Sequence, residues 1–341
     1  MSLCVLHVLE SLNPDAGSVA VCLGGLPDAL SARGQQARTV APPGDPARIL
    51  DGVDVVHIHG WTYEFAYQAA AAALKAGKPY VVSPHGALTY GPYHKLTWKE
   101  RLRIAWRTRR LVRGAACVTA LNPVEERDLH TQRIHPRIRV LPYGLCFTEY
   151  EGSPPTDGAS PSADRRLLMM GPLHPRAGCV AFLKAMAEIG PDANGWNVVL
   201  AGSDDGEWRK MLEAAIRRKK SDDRVVVAHA RTVSEQRACL SRASLLAAPG
   251  LHIGLPVSIM QAVAMGVPVI ASTCVAPPGL DSAIRVCGPR REELRETLRS
   301  VLRLPEESRR AMGEKARTVG RALFDWAVLA DEYAQLYTDM A

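Results

Sequence analysis

PYVVSPHGAL, residues 79–88, shows the pattern from which the fold is predicted: an apolar run rich in valine ends in a loop of Pro, His and Gly. This pattern recurs along the chain, and longer segments with helical periodicity separate each apolar run from the next. Apolar strands that alternate with helices are typical of parallel sheets covered on both faces, so we predict an α/β protein. The predicted strands are LCVLHV, ARTVAP, DVVHIHG, PYVVSP, CVTALN, IRVLPY, RLLMMG, WNVVLAG, RVVVAH, LLAAPG, PVIAST and AIRVC.

One stretch between the sixth and seventh strands breaks this alternation. Residues 151–166, EGSPPTDGASPSADRR, are rich in Pro, Gly, Ser and Asp without apolar periodicity, which is typical of a linker or exposed loop. A chain of 341 residues also has the length of two domains. We therefore predict a first domain over 1–155, a linker over 156–166, a second domain over 167–315 and a C-terminal helix over 316–341.

Composition excludes several classes of protein. No stretch approaches the roughly 20 apolar residues of a membrane-spanning helix, and the N-terminus lacks the basic region of a signal peptide. Eight cysteines without a CxxC pair favour free thiols in a reducing compartment, so we expect a cytoplasmic protein. Neither a Walker loop nor a GxGxxG motif follows a predicted strand, which argues against kinases, NTPases and dehydrogenases.

The net charge of +7 is concentrated in residues 95–113, KLTWKERLRIAWRTRRLVR. Such a local basic stretch does not indicate nucleic-acid binding. Either it forms a docked surface helix with a solvated basic side, or it binds anionic lipid head groups at the inner membrane face. We expect one helical face to carry Trp98, Leu102, Ala105, Trp106 and Val112, and the candidate patch for a membrane or an acceptor is Lys95, Lys99, Arg103, Trp106, Arg107 and Arg110.

The ends of the predicted strands carry the motifs that point to a family. In this order, DVVHIHGW, KPYVVSPHGAL, ALNPVEERDL and IRVLPYGL resemble the first domain of family 4 glycosyltransferases, especially those that build bacterial surface polysaccharides. LLMMGPLHPRAG, WNVVLAGSDDG and LLAAPG…QAVAMGVPVIAS resemble the second domain. The resemblance implies a GT-B fold: two Rossmann-like domains face each other across a cleft, and the C-terminal helix crosses back to the first. It also implies a nucleotide-sugar donor, a glycan acceptor and no metal.

The resemblance assigns candidate residues on both domains. His85 matches the histidine that faces the sugar and supports developing positive charge. Gly17 and Ser18 stand where the family has a Gly-Gly pair near the donor phosphates, and we expect Gly24, Gly25 and Pro27 to weaken or kink the helix that follows. His57 and His59 are expected to pack, with at most one of them facing the cleft. The candidate donor-binding residues are Gly17, Ser18, Gly86, Arg176, Gly202, Ser203 and Gln261.

Four charged positions of the family's donor site are replaced in this chain. The motif GPLHPRAG has Pro172 for the family's Arg and Ala177 for its Lys, while Ile253 and Gln261 stand for its two glutamates. Each charge-assisted hydrogen bond to a diphosphate contributes roughly 1.5–3 kcal/mol, and retaining transfer depends on that help to the leaving group. Arg176 is the nearest substitute, and Gln261 can still hydrogen-bond a ribose hydroxyl.

Three hypotheses for function follow. The chain is a glycosyltransferase-like protein of polysaccharide or glycolipid assembly with impaired or absent catalysis, which holds an acceptor or an active glycosyltransferase partner. Alternatively, it is an active transferase with a rearranged donor site that uses Arg176, His85 and backbone amides. A third hypothesis is a non-catalytic module that binds carbohydrate or nucleotide, because a fold alone does not define an activity.

Overall fold

The computed structural model describes residues 2–16, 18–45, 48–61, 63–86, 97–151, 165–173, 177–203, 207–218, 224–250 and 255–341. These residues form two compact units, Met1–Cys146 with Phe324–Ala341, and Phe147–Leu323. Each unit contains one six-stranded parallel sheet, and helices separate most of its consecutive strands. The predicted α/β fold with two Rossmann-like domains is therefore confirmed. Most of the predicted linker over 156–166, namely residues 156–164, lies outside the described residues.

The first unit has the strand order β2-β1-β3-β4-β5-β6. Its strands are β1 (Cys4–Val8), β2 (Gln36–Val40), β3 (Val55–His59), β4 (Tyr80–Ser83), β5 (Cys117–Ala120) and β6 (Ile138–Val140). Its helices are α1 (Ser18–Leu23), α2 (Leu26–Ser31), α3 (Glu64–Lys75), α4 (Trp98–Arg113) and α5 (Pro123–Thr131), and α12 (Trp326–Met340) joins them from the C-terminus. The parallel register aligns His7 with His57, and His59 with Ser83, so these side chains reach the same end of the sheet.

The second unit has the strand order β12-β11-β10-β7-β8-β9. Its strands are β7 (Arg165–Met170), β8 (Trp196–Gly202), β9 (Val225–His229), β10 (Leu245–Ala248), β11 (Val269–Ser272) and β12 (Arg285–Cys287). Its helices are α6 (Cys179–Ile189), α7 (Glu207–Arg218), α8 (Val233–Ser241), α9 (Val257–Ala264) and α10 (Arg291–Leu302), followed by α11 (Glu306–Phe324). Each predicted strand of both domains is thus present.

The expected weak point after the first strand is a break in the helix. α1 ends at Leu23, Gly24 and Gly25 form the turn, and α2 starts at Leu26 with Pro27 in its first turn. Gly25 is also required by packing, because a Cβ there would lie 2.9 Å from the Trp326 ring. The predicted weakening of this helix is confirmed.

The C-terminal helix α12 packs within the first unit on the side of α2. The Trp326 Nε1–H donates to the Cys22 carbonyl oxygen at 2.6 Å, and the Arg33 guanidinium pairs with Asp331. A Cβ at Gly144 would lie 2.7 Å from the Trp326 ring, so the ring and the glycine fit together only because this side chain is absent. The helix also brings Tyr333 and Tyr337 into the buried interior.

Candidate functional site

His85 stands on a strained turn directly after β4. Its φ is +52° and that of Gly86 is +77°, so two consecutive residues are in the left-handed region. A non-glycine residue there costs on the order of 1–3 kcal/mol and persists only when its surroundings hold it, which is common at functional sites.

The buried carboxylate of Glu125 holds this turn in place. One oxygen of Glu125 accepts the Gly86 N–H at 2.7 Å, and the other accepts the Leu121 N–H at 2.7 Å. The Asn122 side chain caps α5 by accepting the Val124 and Glu125 N–H groups, which fixes where the carboxylate points. Burial raises the pKa of Glu125, while the two N–H donors oppose that shift. The carboxylate of Glu125, at the start of α5, thus stabilises the turn at His85.

Three imidazoles form a hydrogen-bonded row at the same end of the sheet. His85 Nε2 lies 3.1 Å from His59 Nδ1, and His59 Nε2 lies 3.0 Å from His7 Nδ1. The His59 and His85 rings are stacked, with centroids 5.3 Å apart. Two nitrogens at the ends of the row, His85 Nδ1 and His7 Nε2, are buried and have no partner among the described residues.

His57 packs beside this row with its own hydroxyl partners. Its Nδ1 lies 2.8 Å from the Tyr337 hydroxyl and its Nε2 lies 2.6 Å from the Ser83 hydroxyl, which in turn bonds Thr119. The His57 and His59 rings are 4.1 Å apart. The expectation that at most one of these two histidines faces the cleft assumed that they alternate, but residues two apart on a strand point to the same face, and here the two rings lie together. That both are buried agrees with the expected packing role.

Burial keeps the histidines of this cluster neutral at pH 7. It lowers the pKa of His85 to about 4 and that of His7 to about 3. It also holds the pKa values of His57 and His59 well below their usual range, and the neighbouring imidazoles add to this effect. His85 therefore meets a ligand as a neutral donor or acceptor and not as a cation.

Three histidines of this cluster lie as close together as the ligands of a metal ion do. Within the described ranges, His7, His57 and His59 offer nitrogens within 4.8 Å of one another. Each of these rings already uses at least one nitrogen in a hydrogen bond to another ring or to a hydroxyl. The arrangement is that of a neutral hydrogen-bonded set, and the expectation of no metal stays a prediction.

The matching end of the second sheet consists mainly of closely packed backbone. A Cβ at Gly202 would overlap the carbonyl oxygen of Gly171, and a Cβ at Gly178 would overlap that of Pro249. The Leu173 N–H donates to the Ser203 carbonyl oxygen at 2.8 Å, so β7 and β8 stay joined beyond their ends. Gly202 is therefore required for packing, whereas the Ser203 side chain is exposed.

Gln261 occupies the place of one family glutamate and is fully buried on α9. Its Nε2 donates to Gln236 Oε1 at 3.0 Å and to the Tyr150 hydroxyl at 3.4 Å. Its Oε1 has no partner in the described part of the chain. The Arg237 guanidinium lies over the Tyr150 ring, 4.4 Å from its centroid, and so packs against the tyrosine that Gln261 contacts. Gln261 therefore keeps an acceptor, while its amide hydrogens are engaged.

The other replaced positions add no charge at this edge. Pro172 is exposed, and Ala177 packs against the apolar core of the second unit. Ser18 starts α1, a helix of six residues. Gly17, Lys95, Arg176 and Ile253 lie outside the described residues.

The basic stretch forms α4 with a divided surface. Trp98, Leu102 and Trp106 are 70%, 64% and 61% exposed, whereas Leu111 and Val112 are buried in the core. The expected face is therefore exposed over its first part and buried at Val112, where the last turn of the helix packs against the core of the first unit. Arg107 pairs with Glu64 and lies over Tyr67, while the patch residues Lys99, Arg103 and Arg110 are exposed.

Several residues of these clusters carried a sequence signal that was missed. His7 has the same place near the end of β1 that His57 has in β3, which predicts that the two meet in parallel register. Glu125 follows the cap residue Asn122 by three positions, a spacing typical of a capping box, although its carboxylate bonds Gly86 instead. Gln236 and Tyr337 gave no local signal.

Comparison with known proteins agrees with this architecture. A model described as "Glycosyl transferase 4-like domain" matches residues 29–144, and one described as "Glycosyl transferases group 1" matches residues 164–303. In fold, the chain is similar to the sucrose-phosphate synthase of Thermosynechococcus elongatus, with a TM-score of 0.76, 18% identity and coverage of 99% and 98% of the two chains. It is also similar to Anabaena HepE in complex with UDP and glucose, with a TM-score of 0.75, 16% identity and coverage of 99% and 100%.

Two curated relatives share an activity in their names. The GDP-mannose:cellobiosyl-diphosphopolyprenol alpha-mannosyltransferase of Xanthomonas oryzae is 26% identical over 70% of this chain and 60% of its own length. The protein of the same name from Komagataeibacter xylinus is 23% identical over 90% of this chain and 76% of its own length. The chain thus spans less than two thirds of the Xanthomonas relative.

These findings define first the class and then the family. Two Rossmann-like units that match both halves of such enzymes are the architecture of a GT-B glycosyltransferase. The chain belongs to glycosyltransferase family 4. Among the helices in the described ranges, none combines the length and the apolar composition that crossing a bilayer requires.

Proposed function

We propose that this family 4 protein takes part in polysaccharide or glycolipid assembly and that its sugar transfer is impaired or absent. The observation that carries this proposal is the state of Gln261, a buried amide bonded to Gln236 where the family has a glutamate. Pro172 and Ala177 support it, because neither side chain can neutralise a phosphate.

The missing contacts of an Arg and a Lys with the donor diphosphate are large enough to make transfer slow. Loss of an Arg and a Lys removes two charge-assisted contacts of roughly 1.5–3 kcal/mol each. At about 1.4 kcal/mol per tenfold change, the transfer rate falls by two to four powers of ten. A protein with such a site is suited to holding a glycan acceptor or an active glycosyltransferase partner.

The names of the relatives suggest which ligands to test. The two curated relatives are named for GDP-mannose and a diphosphopolyprenol-linked acceptor, and HepE was solved with UDP and glucose. We therefore propose a nucleotide sugar and a glycan on a lipid diphosphate as the ligand classes of this chain.

Calorimetry with UDP, GDP, ADP, UDP-glucose and GDP-mannose tests the proposal. We expect dissociation constants in the millimolar range for each of them. A second protein carries Pro172→Arg, Ala177→Lys, Ile253→Glu and Gln261→Glu together, and we expect it to bind at least tenfold more tightly. Micromolar binding together with turnover by the natural chain would refute impaired catalysis.

An active transferase with a rearranged donor site is the second candidate. The observation that favours it is the turn at His85, whose strain is maintained by a buried acid. In this alternative Arg176, His85 and backbone amides replace the missing charges. Arg176→Ala distinguishes the two, because it abolishes any measured turnover in the active transferase and changes nothing in the impaired one.

We also propose that α4 attaches the protein peripherally to the cytoplasmic face of the inner membrane. Trp98, Leu102 and Trp106 stand one helical turn apart and are all exposed, and Lys99, Arg103 and Arg110 lie beside them. Exposed aromatic and basic side chains on one helix are typical of binding at an anionic bilayer surface.

Vesicle sedimentation tests this attachment. Replacing Trp98, Leu102 and Trp106 with Ser should release the protein from vesicles that contain phosphatidylglycerol. The matched control replaces Val180, Met211 and Val226, three exposed apolar residues of the second unit, with Ser. Equal sedimentation of the natural chain with neutral and anionic vesicles would disprove the attachment.

A further inference from the structure

The row of imidazoles in the first unit joins three neighbouring strands. His7 comes from β1, His59 from β3, and His85 from the turn after β4. The two ring-to-ring hydrogen bonds are 3.0 Å and 3.1 Å long. Both outer nitrogens, His7 Nε2 and His85 Nδ1, are buried without a partner among the described residues.

Simple proton counting leaves this row only two arrangements. A neutral imidazole has one N–H donor and one acceptor nitrogen. If His85 donates from Nε2 to His59, then His59 must donate from Nε2 to His7, and His7 is left with an N–H at Nε2. If His7 donates from Nδ1, then His59 also donates from Nδ1, and His85 carries its proton on Nδ1. The three rings therefore change tautomer together.

The two arrangements differ in where they leave a donor without a partner. The first leaves a buried N–H at His7, which is 1% exposed and points into the interior. Buried N–H groups without acceptors are rarer and less tolerated than unsatisfied acceptors. The second places the N–H without a partner on His85 Nδ1, which is also buried but belongs to a residue that is half-buried at the end of the sheet, so a ligand oxygen that displaces the groups covering this atom can accept it.

We propose that His7 and His59 are positioning residues, which hold the proton of His85 on Nδ1 and thereby make it a hydrogen-bond donor to a sugar ligand. The ligand part of this inference rests on the proposed function, whereas the order of the protons does not. His59 and His7 act only through His85, and no proton needs to leave the row.

The surroundings of the row keep this arrangement free of charge. His57, which packs against His59, has both nitrogens bonded to the hydroxyls of Tyr337 and Ser83, so it stays outside the row. Tyr143, Tyr333 and Tyr337 pack around the rings, and burial raises the pKa of each tyrosine. Glu125 is the acid of this region, and its oxygens are engaged by backbone N–H groups.

Nitrogen-15 NMR of the imidazoles in the full chain at pH 7 tests the proposal directly. We expect His7, His59 and His85 each to be protonated at Nδ1. His7→Asn replaces the Nδ1–H with an amide N–H, and His7→Leu has nearly the same shape without a donor. His85 should keep its proton on Nδ1 in His7→Asn and become a mixture of tautomers in His7→Leu.

The contrary results are equally clear. An Nε2 proton on His85 in the natural chain, or an unchanged His85 in folded His7→Leu, would overturn the proposal. Circular dichroism establishes that both variants are folded. If His7→Leu does not fold, His59→Gln takes its place with the same expected mixture, because its amide can accept from His7 at the position of Nε2 but has no donor at the position of Nδ1 for His85.

Ligand binding gives a second readout. With UDP-glucose and GDP-mannose as probes, His7→Leu should weaken the affinity in inverse proportion to the fraction of His85 that keeps its proton on Nδ1, about two- to threefold for a near-equal mixture, and His7→Asn should leave the affinity unchanged. Equal weakening by both variants would contradict the positioning role. If neither probe binds the natural chain, the proposed ligand classes are wrong, and the NMR result still decides the order of the protons.

Discussion

The carboxyl ends of the two sheets differ in what fills them, although both sheets are parallel and have six strands. In the first unit that end carries buried polar side chains that bond one another: the imidazole row, His57 with its hydroxyl partners, and Glu125. In the second unit it carries glycines in close backbone contact and an amide pair, Gln261 with Gln236. The same sheet architecture thus carries a buried polar network at one edge and packed backbone at the other.

Lowering the pH should cause the largest difference in stability between the two units. The folded pKa values of His7, His57, His59 and His85 are all lowered, so the folded chain binds fewer protons than the unfolded chain below pH 6.5. Their contribution to stability is therefore complete above pH 6.5 and is lost as the pH falls towards about 4 for His85 and about 3 for His7. Each such histidine changes the free energy of unfolding by about 1.4 kcal/mol per pH unit.

Hydrogen exchange measured by mass spectrometry between pH 7 and pH 4.5 locates this loss. Peptides from β1, β3 and β4 should gain deuterium at a higher pH than peptides from β7 and β8. Loss of protection in the second unit first would show that the buried histidines do not govern acid stability.

Removing the acid that holds the His85 turn should have the next largest effect. Glu125→Leu leaves the Gly86 and Leu121 N–H groups buried without an acceptor, which costs about 4 kcal/mol. Urea unfolding followed by circular dichroism measures it. Glu126→Ala, which changes a neighbouring and less buried glutamate, is the matched control and should cost under about 0.5 kcal/mol.

At the carboxyl end of the second sheet, an added side-chain atom should lower the free energy of unfolding, because the backbone is closely packed there. Gly202→Ala places a methyl group against the Gly171 carbonyl oxygen and should cost about 3 kcal/mol. Gly24→Ala serves as the control, because its Cβ would meet only ordinary contacts at 3.6 Å. Equal unfolding midpoints for the two variants in urea would show that the close approach of β7 and β8 is not needed.

Placing a carboxylate at position 261 of the second unit should have the smallest effect on stability. In Gln261→Glu the new carboxylate can accept from the Tyr150 hydroxyl, and Gln236 can rotate its amide to donate an N–H. We expect a cost below about 1 kcal/mol by thermal unfolding. A cost above about 3 kcal/mol would mean that the buried amide pair, and not ligand chemistry, dictates glutamine at this position.

The sequence predicted most of the fold because each strand is a local apolar run and each break has its own Gly or Pro. The turn between α1 and α2 is an example, since Gly24, Gly25 and Pro27 act within one short segment. The sites were harder to predict because their partners are distant: Gln236 and Gln261 are 25 residues apart, and His57 and Tyr337 are 280 apart. The mistake over His57 and His59 was different, because the two-residue period of a strand already places them together.

Turnover of GDP-mannose and UDP-glucose tests the central claim, that the first edge is intact and the second has lost its donor chemistry. The natural chain and the protein with Pro172→Arg, Ala177→Lys, Ile253→Glu and Gln261→Glu are compared by release of free nucleotide. We predict no turnover above background by the natural chain and at least a tenfold gain in the substituted protein. Turnover by the natural chain that is lost in Arg176→Ala would contradict the account.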